Sequence, residues 1–223
     1  MKIALVDYGA GNLPSVERAF RRLGAETERA TRGEDLSRAE AIVLPGVGHF
    51  GALARALGRT GMDRALGAAI ERGAALLGIC LGLQALFERS DEAPEESGLG
   101  WLAGTVRPLP PEVKLPHMGW NQVRRVGPSA LLEGIPDDAW FYFAHSYAAP
   151  AASAAAVAVC DYGECFAAAI ESAAVRPPSR VPGSESASSD RKARWRLAAV
   201  QFHPEKSGGA GAALLENFLE LAR

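Results

Sequence analysis

The first half of the chain alternates short aliphatic runs with segments whose apolar positions recur every three or four residues. The runs are predicted to be buried strands, at positions 2–7, 41–45 and 74–79. The segments with helical spacing are predicted to be helices, at about 14–23, 62–72 and 81–89. Strands that alternate with helices in this way are typical of βαβ units on a parallel sheet, so we expect the α/β fold class.

The second half of the chain has a different pattern. From Trp101 onward the apolar runs are shorter and are separated by Pro and Gly, which indicates antiparallel strands and hairpins before a last amphipathic helix at about 209–222. Residues at about 165–170 and 195–202 are predicted to be the two strands of one hairpin. We therefore expect a mostly parallel central sheet flanked by helices, with an added antiparallel portion.

Residues 172–194 break this pattern, because they are rich in Pro, Ser and charged residues. Such a segment buries too little apolar surface to offset the entropy of ordering, so we predict a mobile loop. Strand-like sequence resumes at Trp195, and the segment is therefore not a domain boundary. We expect residues 1–223 to form a single domain that contains this loop as an insertion.

Composition narrows the range of partners. The chain has 223 residues, of which 48% are hydrophobic and 22% are charged, as in ordinary globular proteins. A formal net charge of -2 provides no overall positive field to hold nucleic acid or an anionic membrane surface. The first residues have the pattern of a strand rather than a signal peptide, and no run reaches the roughly 18 apolar residues of a membrane span. We expect a cytoplasmic protein whose partners are small molecules and other proteins.

Residues 78–82 (Gly-Ile-Cys-Leu-Gly) lie where a predicted buried strand turns into a predicted helix. This is the arrangement of a nucleophile elbow, with cysteine in the place of serine. The amino terminus of the helix favours the thiolate form of Cys80, and the backbone N–H of Leu81 would point at an oxyanion formed on the substrate. Taken alone, the motif fits a buried structural cysteine between two packing glycines about equally well.

Residues 201–207 (Gln-Phe-His-Pro-Glu-Lys-Ser) end the last predicted strand. In an extended chain His203 and Glu205 project to the same face, and Pro204 marks the end of the strand because it cannot donate to a central ladder. The carboxylate can therefore orient the imidazole. An isolated His-x-Glu pair is common on surfaces, but together with a cysteine elbow at the end of another strand it predicts a catalytic triad.

Residues 46–51 (Gly-Val-Gly-His-Phe-Gly) match the letters of the GxGxxG dinucleotide fingerprint. That fingerprint belongs to the first βα turn, and an acidic residue follows it by about 20 positions at the tip of the next strand. Here the match follows a later strand and no such residue is evident. We therefore predict that this turn supplies a backbone oxyanion donor, and we expect no cofactor.

Together the three motifs resemble those of the class I, or triad-type, glutamine amidotransferases. In that class the elbow reads Gly-x-Cys-x-Gly, the base strand ends in His-Pro-Glu and the oxyanion strand contains Pro-Gly-x-Gly. Within the class the chain is most similar to the glutaminase subunits of imidazole glycerol phosphate synthase, from histidine biosynthesis. That likeness rests on five segments, at 7–13, 45–48, 117–121, 142–147 and 202–207. It extends over nearly the whole chain except residues 172–194, and it implies a flavodoxin-like fold.

The resemblance also implies a reaction. Cys80 would form a thioester with the side-chain acyl group of glutamine, with His203 as acid and base and Glu205 orienting the histidine, so that glutamine is hydrolysed to glutamate and ammonia. In the family the ammonia passes to a (β/α)8-barrel synthase subunit, which docks over the active-site mouth as the second half of a heterodimer. The ring-closing lyase chemistry belongs to that partner, which explains why this chain has no phosphate-binding loop.

Further site residues follow from the same resemblance. The oxyanion N–H groups would be those of Leu81 and of Val47 or Gly48. The groups that hold the α-amino and carboxylate end of glutamine would be Gln84, Glu92 and the backbone near Ser146 and Tyr147.

Some residues and some functions have alternative interpretations. His117, His145 and Trp120 are predicted to be packing or interface residues, since no carboxylate lies at metal-ligand spacing and a zinc site is not expected. Cys160 and Cys165 could face each other across a hairpin, but we expect inert thiols. The chain could also be a class I glutaminase that serves the synthase for anthranilate, aminodeoxychorismate or pyridoxal phosphate, a non-catalytic subunit, or a cysteine hydrolase that acts without a partner.

Overall fold

The computed structural model describes residues 1–172 and 196–223. The loop predicted at 172–194 lies outside the described residues, apart from Ser172. The described helices are α1 (Leu13–Arg22), α2 (Phe50–Thr60), α3 (Met62–Glu71), α4 (Leu81–Gln84) and α5 (Gly208–Leu221). The described strands are β1 (Lys2–Val6), β2 (Glu26–Ala30), β3 (Ala41–Gly46), β4 (Ala75–Cys80), β5 (Phe87–Ser90), β6 (Leu102–Pro108), β7 (His117–Arg125), β8 (Ala139–His145), β9 (Tyr147–Ala148), β10 (Ala156–Asp161), β11 (Cys165–Ser172) and β12 (Arg196–Val200).

Within the described residues, nine strands form one sheet in the order β2-β1-β3-β4-β12-β11-β10-β7-β8. The first five strands in this order are parallel to one another. The remaining strands join antiparallel, beginning with the pairing of β11 and β12. A smaller sheet contains β5, β6 and β9, of which β5 and β6 are parallel and β6 and β9 are antiparallel. The predicted α/β architecture, mostly parallel with an added antiparallel portion, is confirmed.

The helices cover both faces of the parallel part of the sheet. On one face, α1 and α5 pack together, with the rings of Phe20 and Phe218 in edge contact at 6.4 Å between centroids. On the other face, α2 and α3 bury Leu57 and Leu66 against the opposite side of the same strands. Because both faces are covered, the central strands are almost continuously apolar, as the aliphatic runs predicted. No helix among the described residues is both long enough and apolar enough to cross a membrane.

The predicted strands at 2–7, 41–45 and 74–79 match the observed strands to within one residue at each end. The predicted hairpin is also confirmed, since Ser172 pairs with Leu197 and the two strands run antiparallel. Helix α2 was not predicted, because its first turn is the glycine-containing segment that resembles a dinucleotide loop. His49 begins this helix by accepting a hydrogen bond from the Gly51 N–H at 3.1 Å.

The helix predicted at 81–89 is wrong beyond its first turn. Helix α4 ends at Gln84, and strand β5 begins at Phe87. The carbonyl of Ala85 accepts from the Leu99 N–H at 2.7 Å, and the carbonyl of Leu86 accepts from Trp101 N–H at 2.9 Å. These carbonyls are engaged by the returning chain, so the backbone leaves the helical path.

Candidate active site

Cys80 lies at the carboxyl end of the central strand β4, directly before α4, and has φ 54° and ψ -108°. A positive φ is strained for a residue with a β-carbon, and a strained nucleophile at a strand-to-helix turn is the geometry of a nucleophile elbow. The flanking glycines are required by close packing. A β-carbon on Gly78 would lie 2.9 Å from the Gly82 carbonyl oxygen, and one on Gly82 would overlap the Leu44 carbonyl. The predicted turn from strand to helix at Cys80 is confirmed.

His203 and Glu205 follow strand β12, which is the neighbour of β4 in the sheet. Val200 pairs with Ile79, so the residues after β12 lie beside Cys80. The Nδ1 atom of His203 is 2.9 Å from Oε1 of Glu205, and both side chains are almost fully buried. The strand was predicted to continue through Phe202, but it ends at Val200. The histidine and the glutamate meet through a short 3-10 turn at Pro204–Lys206.

The electrostatics of His203 suit an acid. Burial lowers the pKa of His203, but interaction with the Cys80 side chain and hydrogen bonding to Glu205 outweigh burial and raise the pKa above the ordinary value of 6.5. The imidazole of His203 therefore holds a proton at neutral pH. Oε2 of Glu205 is buried without a hydrogen-bond partner among the described residues. The hydrogen bond that this carboxylate makes through Oε1 is to His203.

The predicted oxyanion residues lie on both sides of Cys80. Leu81 is the first residue of α4, where a backbone N–H has no partner within the helix. The Val47 N–H donates to the Tyr8 hydroxyl oxygen at 3.0 Å, and the same hydroxyl donates to the Val47 carbonyl at 3.0 Å. Gly48 has φ 98°, and its N–H has no acceptor among the described residues. In this conformation the Val47 N–H is engaged, and Gly48 is the free donor on that turn.

The predicted substrate residues surround a small cavity of about 190 Å³ next to Cys80. The lining residues are Val47, Gly48, Cys80, Leu81, Gln84, Glu92, Pro116, Ala144, His145, Ser146 and Tyr147. The structure thus brings together all the residues predicted for oxyanion and substrate binding. Oε2 of Glu92 also accepts from the Phe50 N–H at 2.6 Å, at the start of α2. One oxygen of that carboxylate is thus fixed by the fold.

A larger cavity of about 560 Å³ lies at the amino ends of the parallel strands. It is lined by Met1, Glu40 and Ala74, each of which directly precedes a strand. No cysteine or histidine lines it. In open α/β sheets, ligands bind outside the carboxyl ends of the strands. The smaller cavity beside Cys80 is therefore the candidate active site.

Sequence reasoning missed two residues that touch this site. Gln201 is fully buried, and its Nε2 is 3.7 Å from Sγ of Cys80. It lies two positions before His203, and that spacing on a strand could have placed both side chains on one face. Tyr8 follows β1 at the same sheet edge, but nothing in the local pattern indicates its contact with Val47.

The remaining cysteines are unconnected to the site. Cys160 is buried and Cys165 is exposed, and Cys165 pairs across the hairpin with Asp161 rather than with Cys160. Burial raises the pKa of Cys160 to about 12, so this thiol is inert. The described residues contain no cluster of three or more His, Cys, Asp or Glu side chains that could hold a metal ion.

A strained cysteine at the end of a parallel strand, with a buried histidine–glutamate pair shortly after the neighbouring strand, is the arrangement found in hydrolases of the cysteine-triad class. Residues 4–177 match the family model "Glutamine amidotransferase class-I". The chain is 43% identical to "Imidazole glycerol phosphate synthase subunit HisH" of Methanothermobacter thermautotrophicus, over 99% of this chain and 99% of that protein. It is 42% identical to the subunit of the same name from Moorella thermoacetica, over 99% of this chain and 95% of that protein. The chain therefore belongs to the class I glutamine amidotransferases and, within them, to the family of HisH subunits of imidazole glycerol phosphate synthase.

Solved structures with the same fold are more distant in sequence. A structure described as "Crystal structure of glutamine amidotransferase" has a TM-score of 0.71 and 19% identity, and the match covers 99% of this chain and 98% of that chain. "Structure of PurLQS from Thermotoga maritima" has a TM-score of 0.68 and 16% identity, and the match covers 100% of this chain and 99% of that chain. These likenesses concern the fold.

Proposed function

We propose that the chain hydrolyses glutamine to glutamate and ammonia at Cys80 and delivers the ammonia to a (β/α)8-barrel synthase subunit that forms imidazole glycerol phosphate in histidine biosynthesis. One observation supports this proposal most strongly: Cys80 has the strained backbone of an elbow, and the neighbouring strand leads into His203, whose Nδ1 lies 2.9 Å from Oε1 of Glu205. Family membership supplies the substrate class, because class I glutamine amidotransferases take their ammonia from glutamine.

The reaction begins when the Cys80 thiolate attacks the side-chain amide carbon of glutamine. His203 donates its proton to the amide nitrogen, the carbon–nitrogen bond breaks, and ammonia leaves behind a thioester. His203, now neutral, takes a proton from a water molecule that attacks the thioester. Glutamate is released and the thiolate is regenerated. Glu205 keeps the imidazole oriented and favours its charged form throughout.

The oxyanion of each tetrahedral intermediate would be stabilised by the N–H groups of Leu81 and of Val47 or Gly48. One such donor contributes roughly 10²–10³ in rate. Because the Val47 N–H is bonded to Tyr8 in the isolated chain, the orientation of this turn decides whether the site is fully assembled. We propose that docking of the synthase favours the active orientation.

The α-amino and carboxylate end of glutamine would be held by Gln84, Glu92 and the backbone at Ser146 and Tyr147. Gln84 and Glu92 both line the cavity and both carry acceptor oxygens, which suit an α-ammonium group.

An exposed apolar surface supports the proposed partner. Met118 and Trp120 on β7 share one face with Trp140 on β8, and these side chains are 64%, 52% and 53% exposed. Two residues that line the cavity adjoin this surface: Ala144 lies on β8 opposite Met118, and Pro116 directly precedes β7. A partner that covers this face of β7 and β8 therefore also covers the mouth of the active site.

We place the protein in the cytoplasm. All three cysteines, Cys80, Cys160 and Cys165, are free thiols, which fits a reducing compartment.

The test is glutamine hydrolysis by the purified chain, measured alone and with its cognate synthase. We expect slow turnover alone and a stimulation of at least tenfold in the complex, while Cys80→Ser binds the synthase and hydrolyses no glutamine in either state. Equal rates with and without the synthase would identify a hydrolase that acts without a partner. Stimulation by an anthranilate or pyridoxal phosphate synthase instead would assign the chain to another pathway.

A further inference from the structure

Several buried polar residues near the site have no role in the triad. Gln84, His117, His145 and Gln201 are each 6% exposed or less. A buried polar group is destabilising unless it is hydrogen-bonded, so the partners of these side chains indicate what they do.

The two amides are linked to each other and to the nucleophile. Nε2 of Gln201 donates to Sγ of Cys80 at 3.7 Å, and Oε1 of Gln201 accepts from Nε2 of Gln84 at 3.1 Å. Nε2 of Gln84 also donates to the Tyr147 carbonyl at 2.7 Å. Both hydrogens on that nitrogen are therefore engaged.

The two histidines continue the same series of hydrogen bonds. Nδ1 of His145 is 2.9 Å from the Tyr147 carbonyl, which can only accept, so Nδ1 must bear a hydrogen. Nε2 of His145 then accepts from Nδ1 of His117 at 3.1 Å. Nε2 of His117 in turn accepts from Nδ2 of Asn121 at 3.3 Å, and Nδ2 also donates to the Asp161 carbonyl at 3.0 Å. One arrangement of hydrogens satisfies every bond.

This arrangement requires both imidazoles to be neutral. Burial lowers the pKa of His117 to about 4 and that of His145 to about 3, so both are neutral at physiological pH. His117 is also fixed mechanically, because it lies between the rings of Phe143 and Tyr162, at centroid distances of 4.7 and 3.9 Å.

These hydrogen bonds determine which atom of Gln84 is available to a ligand. Since both hydrogens on Nε2 are engaged, the only atom that Gln84 can offer to a ligand in the cavity is Oε1, an acceptor. We infer that His117, His145 and Gln201 are positioning residues that fix the Gln84 amide so that it accepts a hydrogen bond from the α-ammonium group of the substrate. This inference rests on the proposed glutaminase function and extends it to the selection of an α-amino acid.

The test compares two substrates in the complex with the cognate synthase: glutamine and 4-carbamoylbutanoate, which is glutamine with hydrogen in place of its α-ammonium group. The variant His117→Phe keeps the ring between Phe143 and Tyr162 but cannot donate to His145. We expect KM for glutamine to rise roughly threefold to tenfold, as for the loss of one hydrogen bond. Turnover of 4-carbamoylbutanoate should be unchanged, so the preference for glutamine falls by the same factor.

Two variants of His145 separate positioning from folding. His145→Asn retains a donor close to the place of Nδ1 and should keep most of the preference, whereas His145→Leu should lose it. Tyr162→Phe is the matched control, because its hydroxyl donates to the Lys114 carbonyl outside this series and its removal should leave the preference unchanged. Alkylation of Cys80 by iodoacetamide, located by peptide mass, should keep its wild-type rate in the two histidine variants that lose the preference.

Unchanged preference in both His117→Phe and His145→Leu would overturn the inference. Equal losses on the two substrates, with slower Cys80 alkylation, would also overturn it, because they indicate a structural role. Absence of glutamine turnover in the wild-type complex would instead reject the proposed function itself.

Discussion

A single hydroxyl group, that of Tyr8, binds both backbone polar groups of Val47. Tyr8 both donates to its carbonyl and accepts from its N–H, at 3.0 Å each, across 39 residues of sequence. Burial raises the pKa of Tyr8, so the hydroxyl keeps its hydrogen and can make both bonds at neutral pH. The Val47 N–H, one of the two alternative oxyanion donors predicted on this turn, is thus withheld from the cavity by a side chain of the first βα turn.

The substitution Tyr8→Phe should free the backbone N–H and carbonyl of Val47 from these hydrogen bonds. Two hydrogen bonds of about 1 kcal/mol each are lost, so we expect hydrolysis by the isolated chain to rise about tenfold or more, with a smaller rise in the complex. Steady-state ammonia release from the isolated variant is the measurement. Tyr162→Phe removes a hydroxyl far from Val47 and should have no effect. A lower rate for Tyr8→Phe would mean that the tyrosine assembles the oxyanion site rather than withholding a donor.

At the scale of single residues, the sequence predicts what is contained in local motifs. Cys80 is recognisable from its two glycines, and His203 with Glu205 from their spacing after a strand. Gln201 bonds to Cys80 across 121 residues of sequence, and Tyr8 bonds to Val47 across 39 residues. Such contacts depend on the order of strands in the sheet, which periodicity does not reveal.

At the scale of elements, the buried strands are predictable because both faces of the parallel sheet are covered and their sequences are almost wholly apolar. The end of α4 is not predictable from the sequence. Leu83, Leu86 and Phe87 have helical spacing, but the chain at 99–102 takes the backbone hydrogen bonds that a longer helix would need. Pairing between distant segments therefore overrides a local helical pattern here.

The strand geometry also bears on residues 172–194. Strand β11 ends at Ser172, β12 begins at Arg196, and His203 lies seven residues further along the chain. At about 3.3 Å per residue, the start of β12 lies roughly 20 Å from the imidazole. We propose that the segment between the two strands has no role in catalysis.

Replacement of residues 173–195 by a short Asn-Gly turn should therefore preserve both synthase-stimulated hydrolysis and the stability of the chain. Shortening a loop changes closure entropy by only about 0.6 kcal/mol per halving of its length, in the stabilising direction. Ammonia release in the complex and the denaturant midpoint are the measurements. Hydrolysis reduced by tenfold or more would mean that the segment reaches the active site or the docking surface.

At the scale of the whole molecule, the parallel part and the antiparallel part of the sheet have separate tasks. The parallel strands bring Cys80 and His203 together at their carboxyl ends. The antiparallel strands β7 and β8 place an exposed apolar face next to this site. In the proposed function, ammonia is released beneath this face, and a partner that docks there would receive it directly.

The proposed function requires that Cys80 is the nucleophile toward glutamine. Its most direct test is intact and peptide mass spectrometry of the complex after exposure to a glutamine analogue that has an electrophilic carbon in place of the side-chain amide. We predict one adduct per chain, on the peptide that contains Cys80, and suppression of the adduct by excess glutamine. Modification of Cys165 or Cys160 with Cys80 left unmodified would contradict the assignment.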